Sequence, residues 1–327
     1  MKFLIVGAGA IGAYLGARMA RAGLNVTLIA RGPHLRAMQE NGVQVKSPEG
    51  DFEAKPKVAA TTEEAGPSDV VILGVKAHSL PQIAPQLKSV VGPETIVMST
   101  QNGIPWWFFQ GFAGPLENLR LERLDPGGVI SDTIEARRVV GSIVYFSTEI
   151  IQPGVILHTE GNRISLGEPD GTRSERCRKI SEALIASGLR CPVTTHIRQE
   201  IWVKLLGNAA FNPVSALTGA TLAQMTRDSD VCDLVRNIMQ EVESVAIKLG
   251  VELPVSIEKR LAGAAKVGEH KTSMLQDLEA GRPMELEALV GAVVELGERL
   301  AIPMPHTRAV YACANLLGQT RAAAKTS

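Results

Sequence analysis

The sequence predicts an α/β fold, in which an N-terminal Rossmann-type doubly wound domain is followed by an all-helical C-terminal domain. Short apolar runs rich in β-branched residues alternate with helical segments in the first half of the chain, as in a parallel sheet covered on both faces. A glycine-rich turn follows the first run and opens a helix. Beyond Val193 no comparable strand signal appears, and helical patterns follow one another.

The elements of the first domain follow from these runs. Strands are predicted at Phe3–Val6, Val26–Ala30, Val70–Val75 and Thr95–Ser99, and crossover helices at Ile11–Arg21, Pro33–Gln39 and Leu80–Val90. Residues 104–128, with two tryptophans and then several prolines and glycines, are predicted to form a long loop or a short helical excursion. Further strands are predicted at Val139–Ser147, Val155–His158 and Ile164–Leu166, with turns at 152–154 and 161–162, before a helix over Arg173–Ser187.

The second domain is predicted from apolar stripes with helical spacing. Such stripes run from Leu234 to Leu249 and from Leu286 to Leu300. We therefore expect residues 1–194 to form the Rossmann-type domain and residues 195–327 to form the helical domain. A length of 327 residues fits two domains, because single domains usually contain about 100–200 residues.

Composition argues against several classes of protein. Lys and Arg together number 34, as do Asp and Glu, so the formal net charge is zero, which is untypical of proteins that bind nucleic acids or anionic membranes. No apolar stretch is long enough to span a membrane. The four cysteines have neither paired nor metal-binding spacing, so we expect buried thiols, no bound metal and a cytoplasmic location.

The glycine-rich turn has the pattern and the context of a dinucleotide-binding motif. It consists of Gly7, Ala8, Gly9, Ala10, Ile11 and Gly12. The first glycine permits a tight turn, the second lets the backbone approach a pyrophosphate, and the third lets the helix pack on the strand. The alternative is a tight strand–helix turn without a ligand, but the surrounding strand and helix favour the dinucleotide.

The end of the second strand bears on which dinucleotide is bound. An acidic residue there would bind the 2′-hydroxyl of NAD, but the strand is followed by Arg31, which suits the 2′-phosphate of NADP. The alternative is a solvated arginine at the sheet edge. Lys76 and Asn102 follow later strands, where ligands bind in such sheets, and their alternatives are a solvated lysine and a turn-forming Asn-Gly pair.

A polar set in the helical domain is the third candidate site. Lys204, Asn208 and Asn212 are spaced by four residues in apolar surroundings, where buried polar groups are costly unless they are paired or bind a ligand. We expect the helix to end or kink at Asn212, which precedes Pro213. The alternative for the lysine is a surface ion pair with Glu200.

Taken together, these motifs resemble the ketopantoate reductase family, the 2-dehydropantoate 2-reductases. The resemblance covers nearly the whole chain and rests on GAGAIG at Gly7–Gly12, Arg31, VKA at Val75–Ala77, QNG at Gln101–Gly103, EIWVKLLGNAAFNP at Glu200–Pro213 and TSMLQDLEAGRPMELE at Thr272–Glu287. It implies a Rossmann domain, a helical domain and an active site in the cleft between them. It also implies NADPH-dependent reduction of 2-dehydropantoate to pantoate, on the route to pantothenate and coenzyme A.

The resemblance also implies roles for individual residues. Lys204 would be the general acid, and Glu285 would assist it while contacting the nicotinamide ribose. The glycine motif, Arg31, Lys76, Asn102 and Glu285 would bind NADP, and Asn102, Asn208, Asn212 and Ser273 would hold the 2-keto acid substrate. No nucleic-acid or membrane partner is expected, and the oligomeric state is left open, with a homodimer as one candidate.

The chain departs from the family pattern after the QNG motif. Ile104–Phe109 is strongly aromatic where a short glycine-rich turn is usual, and Glu287 replaces the usual Asp. The aromatic segment either packs in the core or covers the substrate pocket. Two other functions therefore stay open: reduction of a different 2-oxo acid, and a non-catalytic NADP-sensing module. The presence of Lys204 and Glu285 argues against the sensor.

Overall fold

The computed structural model, which describes residues 1–326, contains a nine-stranded mixed sheet in the first part of the chain. Its strands are β1 (Lys2–Val6), β2 (Asn25–Ile29), β3 (Val43–Lys46), β4 (Phe52–Ala54), β5 (Lys57–Ala59), β6 (Val70–Leu73), β7 (Ile96–Ser99), β8 (Val139–Gln152) and β9 (Val155–Gly167). Their order in the sheet is β4-β3-β9-β8-β7-β6-β1-β2-β5.

The centre of the sheet is parallel and buried, as the apolar runs predicted. Strand β1 lies between β2 and β6, with Phe3 opposite both Val26 and Val70. Leu4 and Ile5 of β1 are 0% exposed, because helices cover both faces of such a sheet.

Three strands and one long hairpin differ from the sequence prediction. The short strands β3, β4 and β5 were not predicted, because each contains polar residues and is too short for a period of two to stand out. Strand β9 is continuous where two strands were predicted. Gly161 (φ +74°) marks an irregularity in pairing with β8, where an added Cβ would lie 2.2 Å from the Tyr145 carbonyl oxygen.

The helices associated with the sheet are mostly short. They are α1 (Ala10–Arg21), α2 (Gly32–Asn41), α3 (Thr62–Ala65), α4 (Leu80–Ile83), α5 (Val129–Thr133) and α6 (Glu175–Ala186). The predicted helix over Leu80–Val90 is not one α-helix, since α4 is followed by a 3₁₀ segment at Ala84–Ser89. Pro85 at the start of that segment cannot donate a main-chain hydrogen bond, which explains the break.

The second part of the chain, from Arg198 onward, contains helices and no strand among the described residues. Its helices are α7 (Ile197–Thr218), α8 (Leu222–Arg227), α9 (Ser229–Lys248), α10 (Ile257–Val267), α11 (Ser273–Glu279), α12 (Ala292–Arg299) and α13 (Pro305–Thr326), with a π-helical segment at Glu287–Gly291. An end or a kink was predicted at Asn212, but helix α7 does not end there and continues through Pro213 to Thr218. The fold class predicted from the sequence, a Rossmann-type sheet domain followed by helices, is confirmed.

The chain forms two compact units. The sheet unit comprises Met1–Gln101, Trp106–Arg120 and Asp125–Ile197. The helical unit comprises the chain from Arg198 onward together with two short segments from earlier in the sequence, Asn102–Pro105 and Leu121–Leu124. None of the helices within residues 1–326 is long and apolar enough to cross a membrane.

Candidate active site

The glycine-rich turn of the sheet unit is so tightly packed that two of its glycines leave no room for a side chain. Gly7 has φ +100°, and an added Cβ would lie 2.4 Å from Val75 Cγ1. A Cβ on Gly12 would lie 2.1 Å from the Gly7 carbonyl oxygen. A Cβ on Gly9, by contrast, would meet nothing closer among the described residues than the Gly74 oxygen at 3.8 Å. Gly7 and Gly12 are therefore needed by the fold, whereas the space at Gly9 is left for a ligand.

The N-terminus of helix α1 suits an anionic ligand. Gly9 is its N-cap, no side chain caps it, and its first turn carries no acidic residue. The first main-chain N–H groups of the helix can therefore bind a pyrophosphate. The cradle formed by Gly9 and these N–H groups fits a dinucleotide.

Two further loops lie at the same edge of the sheet. The Ala8 N–H donates to the Ile29 carbonyl at the end of β2 over 2.8 Å, and a Cβ on Gly74 would lie 2.5 Å from the Gly7 oxygen. Arg31 follows β2 as the exposed N-cap of α2, and no acidic residue stands at the strand end. Lys76 follows β6 and is half-buried.

Gln101 is a structural member of this edge that the sequence analysis did not single out. Its Nε2 donates to the carbonyl oxygens of Leu73 (3.0 Å) and Val75 (2.9 Å), which joins the end of β7 to the end of β6. The signal was its position in the QNG motif, but a glutamine at a loop could equally have been solvated.

In the helical unit, the Lys204 ammonium donates to Asn102 Oδ1 over 2.7 Å, although the two residues are 102 positions apart. Burial lowers the pKa of Lys204 to about 8, and the nearby Glu285 carboxylate opposes that shift. The lysine is half-buried and bonds to a loop amide, so it is not explained by the surface ion pair alone.

The π-helical segment explains why Asn102 reaches the lysine. The Ala288 carbonyl oxygen accepts a hydrogen bond from the Ile104 N–H over 3.0 Å. Gly103 has φ +87°, and a Cβ there would lie 2.2 Å from the same oxygen, so only glycine fits. Helical distortions of this type are frequent at functional sites.

The predicted substrate-binding residues occupy different positions in the helical unit. Asn208 is half-buried one turn after Lys204 on α7, and Asn212 follows one turn later, 5% exposed. Ser273 is exposed at the first residue of α11, whose N-cap is Thr272. The structure thus brings Lys204, Asn102 and Glu285 together, with Asn208 and Asn212 along the same helix face, and it puts Ser273 at a helix start.

The aromatic segment after the QNG motif is packed inside the sheet unit. Trp106, Trp107, Phe108 and Phe109 are 7%, 1%, 0% and 1% exposed. Trp107 Nε1 donates to Ser99 Oγ over 3.0 Å, and the Trp107 ring occupies the space that a Cβ on Gly141 would need. These contacts favour core packing over a pocket cover.

Comparison with known proteins identifies the family of the chain. The family described as Ketopantoate reductase PanE/ApbA matches residues 3–171, and its C-terminal model matches residues 196–318. A 2-dehydropantoate 2-reductase of Mesorhizobium japonicum is 49% identical over 322 residues, covering 98% of this chain and 99% of the relative.

Solved structures show the same fold. A candidate ketopantoate reductase from Ralstonia solanacearum MolK2 is 37% identical, with a TM-score of 0.93 over 98% of both chains. D-Mandelate dehydrogenase in complex with NADH and anilino(oxo)acetate has a TM-score of 0.84 over 98% of this chain and 99% of its own, but at 21% identity it shows the fold alone. The two family matches, which together cover most of the sequence, establish that this chain belongs to the ketopantoate reductase family.

Proposed function

We propose that this chain catalyses the NADPH-dependent reduction of 2-dehydropantoate to pantoate, with Lys204 as the general acid. The observation that carries the proposal is the half-buried lysine held by Asn102 and influenced by Glu285, in a chain of this family. In this proposal the sheet unit binds the dinucleotide, and the helical unit supplies the proton donor and the residues that hold the substrate.

The chemistry follows from the charge that develops during reduction. NADPH, when bound, supplies the hydride that reaches the keto carbon. Negative charge then grows on the keto oxygen, and an ammonium group at that oxygen both stabilises it and donates a proton. A pKa of about 8 keeps Lys204 mostly protonated at neutral pH and makes its proton easier to transfer than that of an exposed lysine.

The neighbours of Lys204 have separate tasks in this mechanism. Asn102 accepts one ammonium hydrogen and thereby orients the group. Glu285 favours the charged form of the lysine, and it would contact the nicotinamide ribose of a bound cofactor. The amides of Asn208 and Asn212 and the hydroxyl of Ser273 bind the polar groups of the 2-keto acid.

The choice of NADP over NAD rests on Arg31. No acidic residue at the end of β2 is present to bind the ribose 2′-hydroxyl of NAD, and the exposed guanidinium of Arg31 can bind the 2′-phosphate of NADP. Lys76 adds a second cation at the same edge of the sheet. The fold by itself does not choose, since a structure with NADH shares it.

The cofactor proposal predicts that NADPH binds at least about tenfold more tightly than NADH, a difference of about 1.4 kcal/mol. Arg31→Ala should remove most of that difference. Arg36→Ala, an exposed arginine on the same helix, should leave it unchanged and serves as the control. Fluorescence titration with both cofactors measures the ratio, and equal affinities in the unmodified protein would contradict the assignment.

The substrate proposal is tested by following NADPH oxidation with 2-dehydropantoate and a panel of other 2-oxo acids. The highest kcat/KM should be found with 2-dehydropantoate. A higher value with another acid would assign the same chemistry to a different substrate, and no turnover with any acid would favour an NADP-sensing module. The proposal also includes a cytoplasmic location and a homodimer. Sedimentation velocity would detect the homodimer.

A further inference from the structure

A cluster of charged and aromatic side chains is centred on Glu287, the first residue of the π-helical segment. Arg123 Nη1 donates to Glu287 Oε2 over 3.0 Å and to the Tyr311 hydroxyl over 2.5 Å. The Tyr311 hydroxyl in turn donates to Glu287 Oε1 over 2.7 Å, and the Arg123 guanidinium lies 5.0 Å from the centre of the Tyr311 ring. Each member therefore contacts both others, and all three are half-buried.

The contact between Glu287 and Arg123 requires a glycine at position 291. A Cβ on Gly291 would lie 2.2 Å from Glu287 Oε2 and 3.2 Å from Arg123 Cδ. Any larger residue at this position would displace the carboxylate from the arginine. Glu287 and Gly291 are the first and last residues of the π-helical segment. Glu287 binds Arg123, and Gly291 leaves the space in which this contact forms.

Arg123 is itself fixed by its main chain. The carboxylate of Glu295 on α12 accepts hydrogen bonds from the N–H groups of Glu122 and Arg123, each at 3.2 Å. Leu121 and Leu124 on either side are buried, at 3% and 8% exposure. The short segment Leu121–Leu124 therefore holds the guanidinium in place against the helical unit, to which it belongs.

The same π-helical segment is connected to two residues that act on Lys204. Its Ala288 carbonyl binds the Ile104 N–H, two residues after Asn102, which bonds to the lysine. Glu285, whose charge acts on the lysine, lies two residues before Glu287. A shift of this segment would therefore move the hydrogen-bond partner and the neighbouring charge of Lys204 together.

We propose that Arg123, Glu287 and Tyr311 are positioning residues for Lys204, which act by holding the π-helical segment that fixes Asn102 and Glu285 beside it. This inference rests on the proposed function for its effect on turnover, but its structural part concerns the ionisation of Lys204 alone. None of the three residues needs to touch substrate or cofactor.

The direction of the effect follows from the charges. Glu285 favours the protonated lysine, whereas burial disfavours it. Tyr311 stays protonated throughout the working range, because burial and the Glu287 carboxylate raise its pKa to about 12. Loosening the segment weakens the influence of Glu285, so the pKa of Lys204 should fall further, by about half a unit to one unit.

The test uses Tyr311→Phe, Glu287→Gln and the double variant in the full-length protein. Competitive labelling of lysines with acetic anhydride at a series of pH values, measured on the Lys204 peptide by mass spectrometry, gives the pKa without any need for activity. Turnover with NADPH and 2-dehydropantoate is measured on the same samples. Arg308→Gln, which removes the exposed ion pair with Glu298 one turn before Tyr311, is the matched control.

We expect both single variants to lower the pKa of Lys204 and to reduce kcat about tenfold, since small displacements of a catalytic group cost up to about 10²-fold. The double variant should shift the pKa no more than the larger single effect, because both substitutions break one network. A Lys204 pKa that is the same in all variants as in the unmodified protein would overturn the inference. An unmodified protein that titrates as expected but reduces no 2-oxo acid would instead refute the proposed function.

Discussion

At the scale of single residues, the candidate site depends on the cost of keeping a charged lysine partly out of water. Lys204 is surrounded on α7 by buried apolar neighbours, including Trp202 and Leu205, at 0% and 1% exposure. Burial lowers its pKa to about 8, and Asn102 and Glu285 offset part of the cost of its charge. A perturbed lysine with specific partners is typical of a functional site rather than of a surface ion pair.

Lys204→Ala should reduce kcat by about 10²- to 10⁴-fold, or about 3–5 kcal/mol of transition-state stabilisation. NADPH affinity should change little, because the glycine turn and Arg31 lie in the other unit. Steady-state kinetics and fluorescence titration separate the two quantities. Lys248→Ala, an exposed lysine at the end of α9, is the control, and near-normal turnover in Lys204→Ala would remove the lysine from the mechanism.

The pH dependence of kcat in the unmodified protein follows from the ionisation of Lys204. Reduction needs the ammonium form, so the kcat of the unmodified protein should stay level below the Lys204 pKa of about 8 and fall as the pH rises through it. Glu285→Ala should move this fall to lower pH, because the carboxylate favours the protonated lysine. It should also weaken cofactor binding more than Lys204→Ala does.

At the scale of elements, the strand–turn–helix unit at the N-terminus contains two glycines that the fold requires and one, Gly9, that it does not. Helix α1 packs so closely on its own turn that Gly12 faces the Gly7 oxygen without room for a methyl group. Gly9 has an ordinary φ of −67°, and a Cβ there would meet the Gly74 oxygen only at an ordinary van der Waals distance of 3.8 Å. One motif therefore combines two separable physical requirements.

Gly12→Ala should destabilise the protein by about 3 kcal/mol, because the added methyl group meets main-chain atoms that cannot move aside. Gly9→Ala should leave the melting temperature unchanged and weaken NADPH binding by about tenfold, or about 1.4 kcal/mol. Thermal unfolding and fluorescence titration on both variants distinguish these effects. If Gly9→Ala bound NADPH normally, the pyrophosphate would have to lie elsewhere.

The aromatic segment offers a test of packing against substrate selection. Trp107→Ala should cost about 3–5 kcal/mol, because it empties a buried site and leaves the Ser99 hydroxyl without its donor. Trp107→Phe should destabilise the protein less, and it replaces the alanine variant in the test if that variant does not fold. The ranking of 2-oxo acids by kcat/KM should be the same in either variant as in the unmodified protein. A changed ranking would return the segment to the substrate pocket.

At the scale of the whole molecule, the chain forms two units with different construction. The sheet unit is held by parallel strand pairing around β1, whereas the helical unit recruits Asn102–Pro105 and Leu121–Leu124 from earlier in the sequence. Charges balance over the chain, and many lie in exposed ion pairs that each contribute little to stability. The described helices include no membrane-spanning candidate.

The sequence alone was enough to predict the fold class, and it also indicated the glycine motif and Lys204 as candidate site residues. Buried parallel strands and amphipathic helices produce local patterns, and a glycine motif is defined by neighbours along the chain, so both can be recognised without coordinates. Two helix predictions differ from the structure. One α-helix was predicted over Leu80–Val90 but breaks at Ala84, and an end or a kink was predicted at Asn212, where α7 does not end but continues through Pro213. Both differences involve proline, whose effect on a helix depends on tertiary packing.

Only the tertiary structure decided what surrounds the lysine. Asn102 contacts Lys204 across 102 positions, and Arg123 meets Glu287 and Tyr311 across 164 and 188 positions, separations over which no periodicity extends. In the sequence the stripe from Leu286 is that of an ordinary helix, because a π-helical turn changes one hydrogen-bond register without changing which residues are apolar. Local sequence patterns therefore determined which residues are candidates for the chemistry, and long-range packing determined which side chains surround them.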